Sequence, residues 1–345
     1  MQLFKVIVQN SDASEQWELP YSYFYFSEAL NKDRDCNFRF EAETIQDIAD
    51  QFSVTIEYIF SASYREIKIL DNDENVLYTG YVDDITFTRG ENDKGNIQIG
   101  SKGFFSLLAK RYTNSLRTYS SEDASDIAWD LINYTQTLDY GDFGITRGAN
   151  PTTSDHDRTY RYKNIAQAIE KLSNNEIKNG IDFDINNSKQ FNVYYPEKGS
   201  KRNNIVLQEG FNILTYTIRK KFIGNLANQV LVFGQGQDED MPVEVRDAAD
   251  VYKSNFFLLQ ETLSEKDTIT AATLQAKGDV FLDSYKYPQK LINITTRYDE
   301  PDITTFEVGD RLRLVIPSYQ IDGFLRLVKR GMSDDGIVQM SFDIL

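Results

Sequence analysis

The sequence contains one cysteine, Cys36, and one histidine, His156, in 345 residues. A single cysteine excludes an internal disulfide framework, and a single histidine excludes the His-rich ligand clusters of most transition-metal sites. No apolar run reaches the roughly 18 residues needed to cross a bilayer, and the amino terminus lacks the pattern of a signal peptide. We therefore expect a soluble protein of a reducing compartment, with no membrane span and no bound metal or cofactor.

Positive charge is also scarce, because 37 Lys and Arg stand against 53 Asp and Glu and the formal net charge is −16. A surface of this sign repels phosphate backbones and anionic lipid, so stable binding of nucleic acid is not expected. The one dense basic run is "IRKKF" at 218–222. It either contacts an acidic neighbour across a subunit interface or protects an exposed strand edge.

Aromatic residues, by contrast, make up 13% of the chain, and with frequent Thr, Ile and Val they favour strands. "NFRFEAE" alternates strictly, with Phe38 and Phe40 on one face. Segments 80–103 and 322–345 share one pattern: Gly and an aromatic residue open an alternating strand, a charged turn ending in Gly follows, and a second strand carries Gln among aliphatics. Two similar barrels in one chain would explain the repeat, and so would two ordinary hairpins with Gly in the turn.

A short apolar helical piece is predicted after the strand in "NIQIGSKGFFSLLAKRY", and helical periodicity marks three longer segments. Their apolar stripes are Ala124, Ile127, Ala128, Leu131 and Ile132; then Ile165, Ala168, Ile169 and Leu172; then Leu274, Gly278, Phe281 and Tyr285. We interpret the stripes as core faces. The short apolar run "IEYIF" at 56–60 is predicted as a strand, and "IDFDIN" and "FNVYYP" are predicted as a hairpin.

Asp299, Glu300 and Asp302 lie in "YDEPD" and offer a candidate pair of catalytic carboxylates. Glycoside hydrolysis needs two such groups about 5 to 9 Å apart. A proline interrupts the run and acidic residues are abundant, so a solvated turn is the preferred interpretation. A module that binds or hydrolyses cell-surface polysaccharide remains the alternative function.

Two further motifs resemble ligand sites and are incomplete. "DNDEN" at 71–75 begins like a calcium loop, but Val76 and Val82 occupy the places of the required Gly and bidentate Glu. "GQGQ" at 234–237 lacks the third Gly and the following helix of a dinucleotide fingerprint. Both motifs are predicted to be turns.

His156 lies between Asp155 and Asp157, and the chain has no Gly-x-Ser-x-Gly elbow that would supply a nucleophile. We expect an exposed loop histidine whose pKa is raised by the adjacent acids. Cys36 has Arg34 nearby but no histidine partner, so it is predicted to be a packing residue at the start of a strand. No catalytic, cofactor-binding or metal-ligating residue is assigned.

Three stretches occur in an order that resembles the hub proteins at the tip of phage tails and contractile injection machines. "EIKILDNDENVLYTGYVDDITFT" followed by "IQIGSKGFFSLLAKRYT" is similar to the family's first barrel. "NIAQAIEKLSNNEIKNGIDFDI" is similar to its small helix-and-hairpin domain. The run from "NQVLVFGQGQ" through "TLQAKGDVFLDSYKYP" to "FEVGDRLRLVIP" and the final hairpin is similar to its closing tube-like domain.

The resemblance implies a mainly β fold with an α+β insert, built of two tube-protein-like β-barrel domains and smaller α+β domains. Residues 1–117 would form the first barrel and residues 118–200 the inserted α+β domain. Residues 201–240 would complete the first barrel, and residues 241–345 would form the second barrel with a helix at 268–286.

The resemblance also implies a non-enzymatic protein of the virion tail tip. In that family three copies form a ring at the distal end of the tail tube, and each copy contributes two barrels so that six similar walls match a six-fold tube. The implied partners are two further copies, the distal tail or tube ring protein, and tip, fibre or receptor-binding proteins. DNA would pass through the lumen without stable binding. A ring of six copies of a one-barrel protein is a further alternative, which the two-barrel pattern disfavours.

Overall fold

The computed structural model describes residues 3–61, 64–90, 94–174, 176–177, 179–221, 226–236, 240–248, 257–264 and 270–344. The N-terminal part contains β1 Lys5–Gln9, β2 Gln16–Glu18, β3 Tyr23–Ala29, β4 Asp35–Glu41, α1 Ala42–Gln51, α2 Ile56–Ser61, β5 Glu66–Leu70, β6 Val76–Thr88 and β7 Asn96–Lys102. The middle part contains α3 Phe105–Leu108, β8 Arg117–Asp123, α4 Ala124–Gln136, β9 Thr146–Arg147, β10 Asp155–Tyr160, α5 Ile165–Glu170, β11 Asp182–Ile185 and β12 Gln190–Tyr194.

The C-terminal part contains β13 Lys201–Gln208, β14 Thr215–Lys221, β15 Gln229–Phe233, β16 Val243–Asp247, β17 Gln260–Ser264, α6 Ala271–Tyr285, β18 Gln289–Arg297, β19 Arg311–Ile316, β20 Ile321–Ser333 and β21 Ile337–Ile344. Short 3-10 helices occupy Ile303–Thr305 and Pro317–Tyr319. Strands account for 46% of the structure and helices for 19%. The predicted fold class, mainly β with an α+β insert, is confirmed.

The core is built where alternating strands turn one face inward. In β4 the buried residues are Cys36, Phe38 and Phe40, with exposed residues between them, as the alternation predicts. Helices α1 and α2 place Ile45 and Phe60 against the same core. This core is continuous from the N-terminal strands to the C-terminal strands, so burial of apolar area holds both parts together.

One strand order occurs twice in the large sheet. The N-terminal half-sheet runs β3-β4-β7-β6-β5-β1, and the C-terminal half-sheet runs β14-β18-β21-β20-β19-β13. Strands that correspond in this order also occur in the same order along the chain. One difference is that β1 and β5 are antiparallel whereas β13 and β19 are parallel. The chain therefore contains a duplicated arrangement of six strands.

The registers of the two half-sheets also correspond. Tyr81 lies opposite Glu66, and Arg326 lies opposite Arg311, each 245 positions later in the chain. A bulge follows Val82 in β6, and a bulge follows Leu327, again 245 positions later, in β20. The two segments that repeat in the sequence are therefore equivalent hairpins.

The equivalence continues across four strands. The row Thr86, Gln98, Arg39, Tyr23 across β6, β7, β4 and β3 corresponds to the row Gly331, Gln339, Thr295, Thr215 across β20, β21, β18 and β14. The repeated Gln is therefore at matching positions. The shared Gly-aromatic opening is not, because Leu325 is the counterpart of Gly80 and lies two residues beyond Gly323.

The two half-sheets join where β20 pairs with β3 in antiparallel register, from Lys329 opposite Ala29 to Ser333 opposite Tyr25. β20 is bent at its bulge, so residues 321–326 pair with β19 and residues 329–333 pair with β3. We call this contact the β3–β20 junction.

The α+β insert has a core of its own. Helices α4 and α5 pack with the sheet β11-β12-β9 and the pair β8-β10. Every residue of the first two predicted helix stripes is buried in this core. The predicted hairpin at 182–194 is also present as β11 and β12.

Three predictions differ from the structure. Residues 201–221 do not complete the N-terminal half-sheet, because β13 pairs with β19 and β14 pairs with β18. Residues 56–60 lie in helix α2, whose Ile56, Ile59 and Phe60 follow helical spacing. Helix α6 begins at Ala271, and positions 268–269 of the predicted helix lie outside the described residues.

Helix α6 covers the small sheet β16-β15-β17. Its buried residues are Leu274, Gly278 and Leu282, so the predicted face is right for two of its four members. This unit lies between β14 and β18 in the chain. No helix in the described ranges is long and apolar enough to span a bilayer. The full set of domain boundaries stays a prediction.

Gly331 and Gly323, both in β20, provide a matched test of the β3–β20 junction. A Cβ at Gly331 would lie 2.8 Å from the carbonyl oxygen of Phe26 in β3, whereas one at Gly323 meets nothing within 4 Å. We expect Gly331→Ala to lower the free energy of unfolding by about 1–3 kcal/mol, because overpacking forces the strands apart. Gly323→Ala should not lower it, because alanine loses less backbone entropy than glycine on folding. Urea unfolding measures both, and equal losses would contradict the close approach.

Candidate functional site

The β3–β20 junction is closed on one side by a buried ion pair. Glu28 of β3 is 8% exposed and accepts from the guanidinium of Arg330 in β20, directly opposite it. Arg34 contributes a second guanidinium, with Nε 3.1 Å from Glu28. Arg330 also donates to the carbonyl oxygen of Ile303 at 2.9 Å. The pair therefore joins β3, β20 and the short helix at Ile303–Thr305.

The electrostatics of Glu28 follow from these contacts. Burial disfavours its ionised form, but Arg330 and Arg34 outweigh burial and lower the pKa of Glu28 to about 2. Glu28 is therefore ionised at neutral pH inside the protein. Such a pair contributes to specificity of pairing, because removing either partner leaves an uncompensated buried charge.

A second buried cluster attaches the α+β insert to both half-sheets. Asp182 of β11 is 0% exposed. It accepts from the Asn31 side chain at 2.8 Å, from the backbone N–H of Lys198 at 2.7 Å, and from the guanidinium of Arg326 in β20. Asn31 in turn accepts from the backbone N–H of Phe183 at 2.9 Å. One carboxylate thus connects the end of β3, the insert and β20.

Lys198 extends this cluster toward the solvent. It is 5% exposed and its ammonium pairs with Asp184 and, at 3.0 Å, with Glu307. Burial opposes its charge, but Asp184 and Tyr194 outweigh burial and raise the pKa of Lys198. These charges are satisfied by one another, so Lys198 is held protonated.

The candidate carboxylate pair lies in a turn whose hydrogen bonds are internal. Asp302 accepts from the backbone N–H of Thr304 at 2.9 Å and from its hydroxyl at 2.8 Å. At the earlier acidic motif, Asp71 accepts from the backbone N–H groups of Asp73 and Asn75 at 2.9 and 2.8 Å. Within the described part of the chain, no three His, Cys, Asp or Glu residues are grouped as a metal site.

His156 differs from its prediction, because it lies in β10 and is not fully exposed. Burial, together with the positive charge of Arg158, outweighs the neighbouring acids and lowers the pKa of His156. Its Nε2 lies 2.9 Å from the Ser154 hydroxyl oxygen. The same hydroxyl also lies 2.5 Å from the carbonyl oxygen of Asn179, to which it can donate.

The other residues and motifs singled out in the sequence are Cys36, the motif at 234–237 and the basic run at 218–222. Cys36 is 1% exposed within β4, and burial raises the pKa of its thiol. The backbone N–H of Gly234 donates to the carbonyl oxygen of Pro242 at 2.8 Å, while position 237 of that motif lies outside the described residues. The basic run at 218–222 lies in β14, and its position 222 also lies outside them.

The sequence alone did not identify the charged residues that hold the parts together. Glu28 and Arg330 are 302 positions apart, and Asp182 and Arg326 are 144 apart. Each stands in a segment with other charges, so nothing local distinguishes it from a solvated residue. The detectable signal was the repeat at 80–103 and 322–345, which contains Arg326 and Arg330.

No protein-family model matches this chain, and no curated protein does. Solved structures do match it over nearly its whole length. A tail protein from Neisseria meningitidis is 12% identical, with 99% of this chain and 96% of that chain covered and a TM-score of 0.65. The 43 kDa tail protein of prophage MuSo2 from Shewanella oneidensis is 10% identical, with 99% and 98% covered and a TM-score of 0.64.

A third similar structure is the Escherichia coli c3393 protein, described as a component of the type VI secretion system with structural similarity to the T4 bacteriophage tail proteins gp27 and gp5. It is 8% identical, with 94% of this chain and 73% of that chain covered and a TM-score of 0.55. At such identities the likeness is one of fold. The predicted resemblance to phage tail and baseplate hub proteins is confirmed at that level.

Glu28→Gln tests the buried ion pair. We expect it to lower the free energy of unfolding at pH 7 by about 3–5 kcal/mol, because two largely buried guanidiniums lose their anion. The pKa of Glu28 is about 2 against an ordinary value of 4.5. The stabilisation is therefore complete above pH 4.5 and is lost as the pH falls toward 2. Urea titrations at pH 7 and pH 3 should show a smaller difference from wild type at pH 3.

Glu74→Gln is the matched control, because its ion pair with Lys5 is exposed at 3.4 Å. Exposed pairs contribute at most about 1 kcal/mol. A loss for Glu28→Gln that is the same at both pH values would contradict the assigned ionisation.

Proposed function

We propose that this chain is a structural tail hub protein, three copies of which form a ring at the distal end of a phage or phage-like tail tube. The observation that carries the proposal is the duplicated six-strand arrangement within one chain. A three-fold ring matches a six-fold tube only if each copy presents two similar faces. The equivalent hairpins β6–β7 and β20–β21 provide that similarity.

In this proposal the two half-sheets are the two tube-like barrels. Residues 1–117 supply the first barrel and residues 118–200 the inserted α+β domain. The second barrel is drawn from residues 201–345, so β13 and β14 belong to it. The similarity of fold to tail proteins over 99% of the chain supports this division of roles.

The ring binds the tube ring above it and anchors tip, fibre or receptor-binding proteins below it, at the virion tail tip. Three copies carry 3 × (−16) = −48 formal charges. An acidic conduit lets DNA pass without the counterion-releasing adhesion that basic surfaces cause. The role is non-enzymatic, and the internal hydrogen bonding of Asp302, Asp71 and His156 agrees with it.

Mass measurement in solution tests the ring. The purified chain, 39.8 kDa per copy, should give a particle of about three times that mass by light scattering. Electron microscopy of the same sample should show closed rings with six similar lobes, because each copy contributes two half-sheets. A stable monomer that cleaves or binds cell-surface glycan would instead support the polysaccharide module, and a hexamer would contradict the proposal.

A further inference from the structure

We propose that neighbouring copies are joined by a second junction, between β6 of one copy and β14 of the next, with the same register as the β3–β20 junction. This inference rests on the proposed ring and names the contact that closes it. Its partner is a second copy of this chain.

Two strand edges have no neighbour among the described strands. Strand β5 pairs with β6 only as far as Tyr81. Residues 83–88 of β6 therefore have β7 on one side and no described strand on the other. In the counterpart strand β20, residues 329–333 have β3 on that side. Similarly, β14 pairs only with β18 among the described strands, whereas its counterpart β3 pairs with both β4 and β20. Each open edge thus lacks the neighbour that its counterpart has.

The equivalence of the half-sheets gives the register of the new junction. Met332 lies opposite Phe26 in the β3–β20 junction, and their counterparts are Phe87 and Ile218. The same correspondence, of β20 with β6 and of β3 with β14, applies to the neighbouring pairs. Ser333 opposite Tyr25 corresponds to Thr88 opposite Thr217. Gly331 opposite Ser27 corresponds to Thr86 opposite Arg219.

Burial supports this register. Met332 is 0% and Phe26 is 2% exposed inside the β3–β20 junction. Their counterpart Phe87 is 54% exposed, and Ile218 is half-buried. An apolar pair that is buried at one junction is therefore only partly covered at the open edges. Pairing of β6 with β14 of the next copy places Phe87 against Ile218.

Charge supports the same partner. Lys220 of β14 lies directly opposite Lys290 of β18, and like charges in that position destabilise a strand pair. Arg219, Lys220 and Lys290 form no salt bridge with any described residue. Asp83 and Asp84 of β6 are exposed and likewise have no salt bridge within the described ranges. The proposed register places Asp84 diagonally across from Arg219 on one face of the sheet.

The two junctions also differ in which strand carries the acidic residue and which carries the basic one. In the β3–β20 junction the acidic residue, Glu28, belongs to β3 and the basic one, Arg330, to β20. In the proposed junction the acidic strand is β6 and the basic strand is β14. An acidic β6 edge therefore repels an acidic β3 and accepts a basic β14, which prevents the wrong strand from pairing. Because the contact is head-to-tail, it closes into a ring when the rotation between neighbouring copies is one third of a turn, as the proposed three-copy ring requires.

Engineered cysteines test the register. We expect Thr88→Cys with Thr217→Cys to form intermolecular disulfides on mild oxidation, giving covalent dimers and trimers on a non-reducing denaturing gel. Residues directly opposite each other have the Cα separation that a disulfide needs. The matched control is Thr86→Cys with Thr217→Cys, which is two residues out of register and should cross-link at least fivefold less. Cys36 is buried and can remain in both variants.

Charge reversal tests the proposed contact between the acidic strand β6 and the basic strand β14. We expect Asp84→Lys to weaken ring assembly at least tenfold, measured as the concentration at which light scattering shows half of the chains in trimers. Adding Arg219→Glu to Asp84→Lys should restore assembly. Because both residues are exposed, circular dichroism of each variant should match wild type.

The outcomes separate this inference from the proposed function. If the wild-type chain is a trimer but the variant Thr88→Cys with Thr217→Cys fails to cross-link, or cross-links no better than the control, the junction is overturned and the ring stands. Failure of Arg219→Glu to restore assembly would overturn the proposed charge pairing. A wild-type chain that stays monomeric at every concentration would overturn the ring itself, with β14 then acting as a lysine-protected edge.

Discussion

The structure depends on the antiparallel pairing of β3 with β20. This pairing connects the first strands of the chain to the last and makes one continuous sheet of two equivalent half-sheets. Apolar side chains from both halves then share a single core. The buried pair of Glu28 and Arg330 adds selectivity, because a slipped register would leave charge without a partner in a low-dielectric interior.

The insert is positioned by the same pairing. Asp182 receives hydrogen bonds from Asn31 beyond β3 and from Arg326 within β20. These two donors can both reach the carboxylate only when β3 and β20 are paired. The insert has a separate apolar core. Its orientation, however, is set by polar contacts whose partners come from opposite ends of the chain.

Local patterns in the sequence predicted local structure well. Alternation identified the buried face of β4, and helical spacing identified the buried faces of α4 and α5, because both patterns follow from where successive side chains point. The repeat at 80–103 and 322–345 left two interpretations open, and the matching registers of the two hairpins favour duplication. At 56–60 the apolar run is short enough to fit either period, and the helical spacing of Ile56, Ile59 and Phe60 decided the structure.

The pairing of strands that are far apart in the chain was harder to predict from the sequence. Nothing in "IRKKF" indicates that β14 lies beside β18, because strand order depends on the whole sheet. The pKa of His156 was predicted in the wrong direction, since burial and the charge of Arg158 outweigh Asp155 and Asp157, which only the fold reveals.

The separation of β3 from β20 along the chain has a consequence for synthesis. Ribosomes add about 5–20 residues per second, so β3 emerges well before β20, on the order of 15–60 seconds earlier at that rate. During this interval the nascent N-terminal half-sheet has an aromatic-rich edge with no final neighbour. Glu28 lies on that edge, and its opposite partner Arg330 becomes available only when β20 has been made.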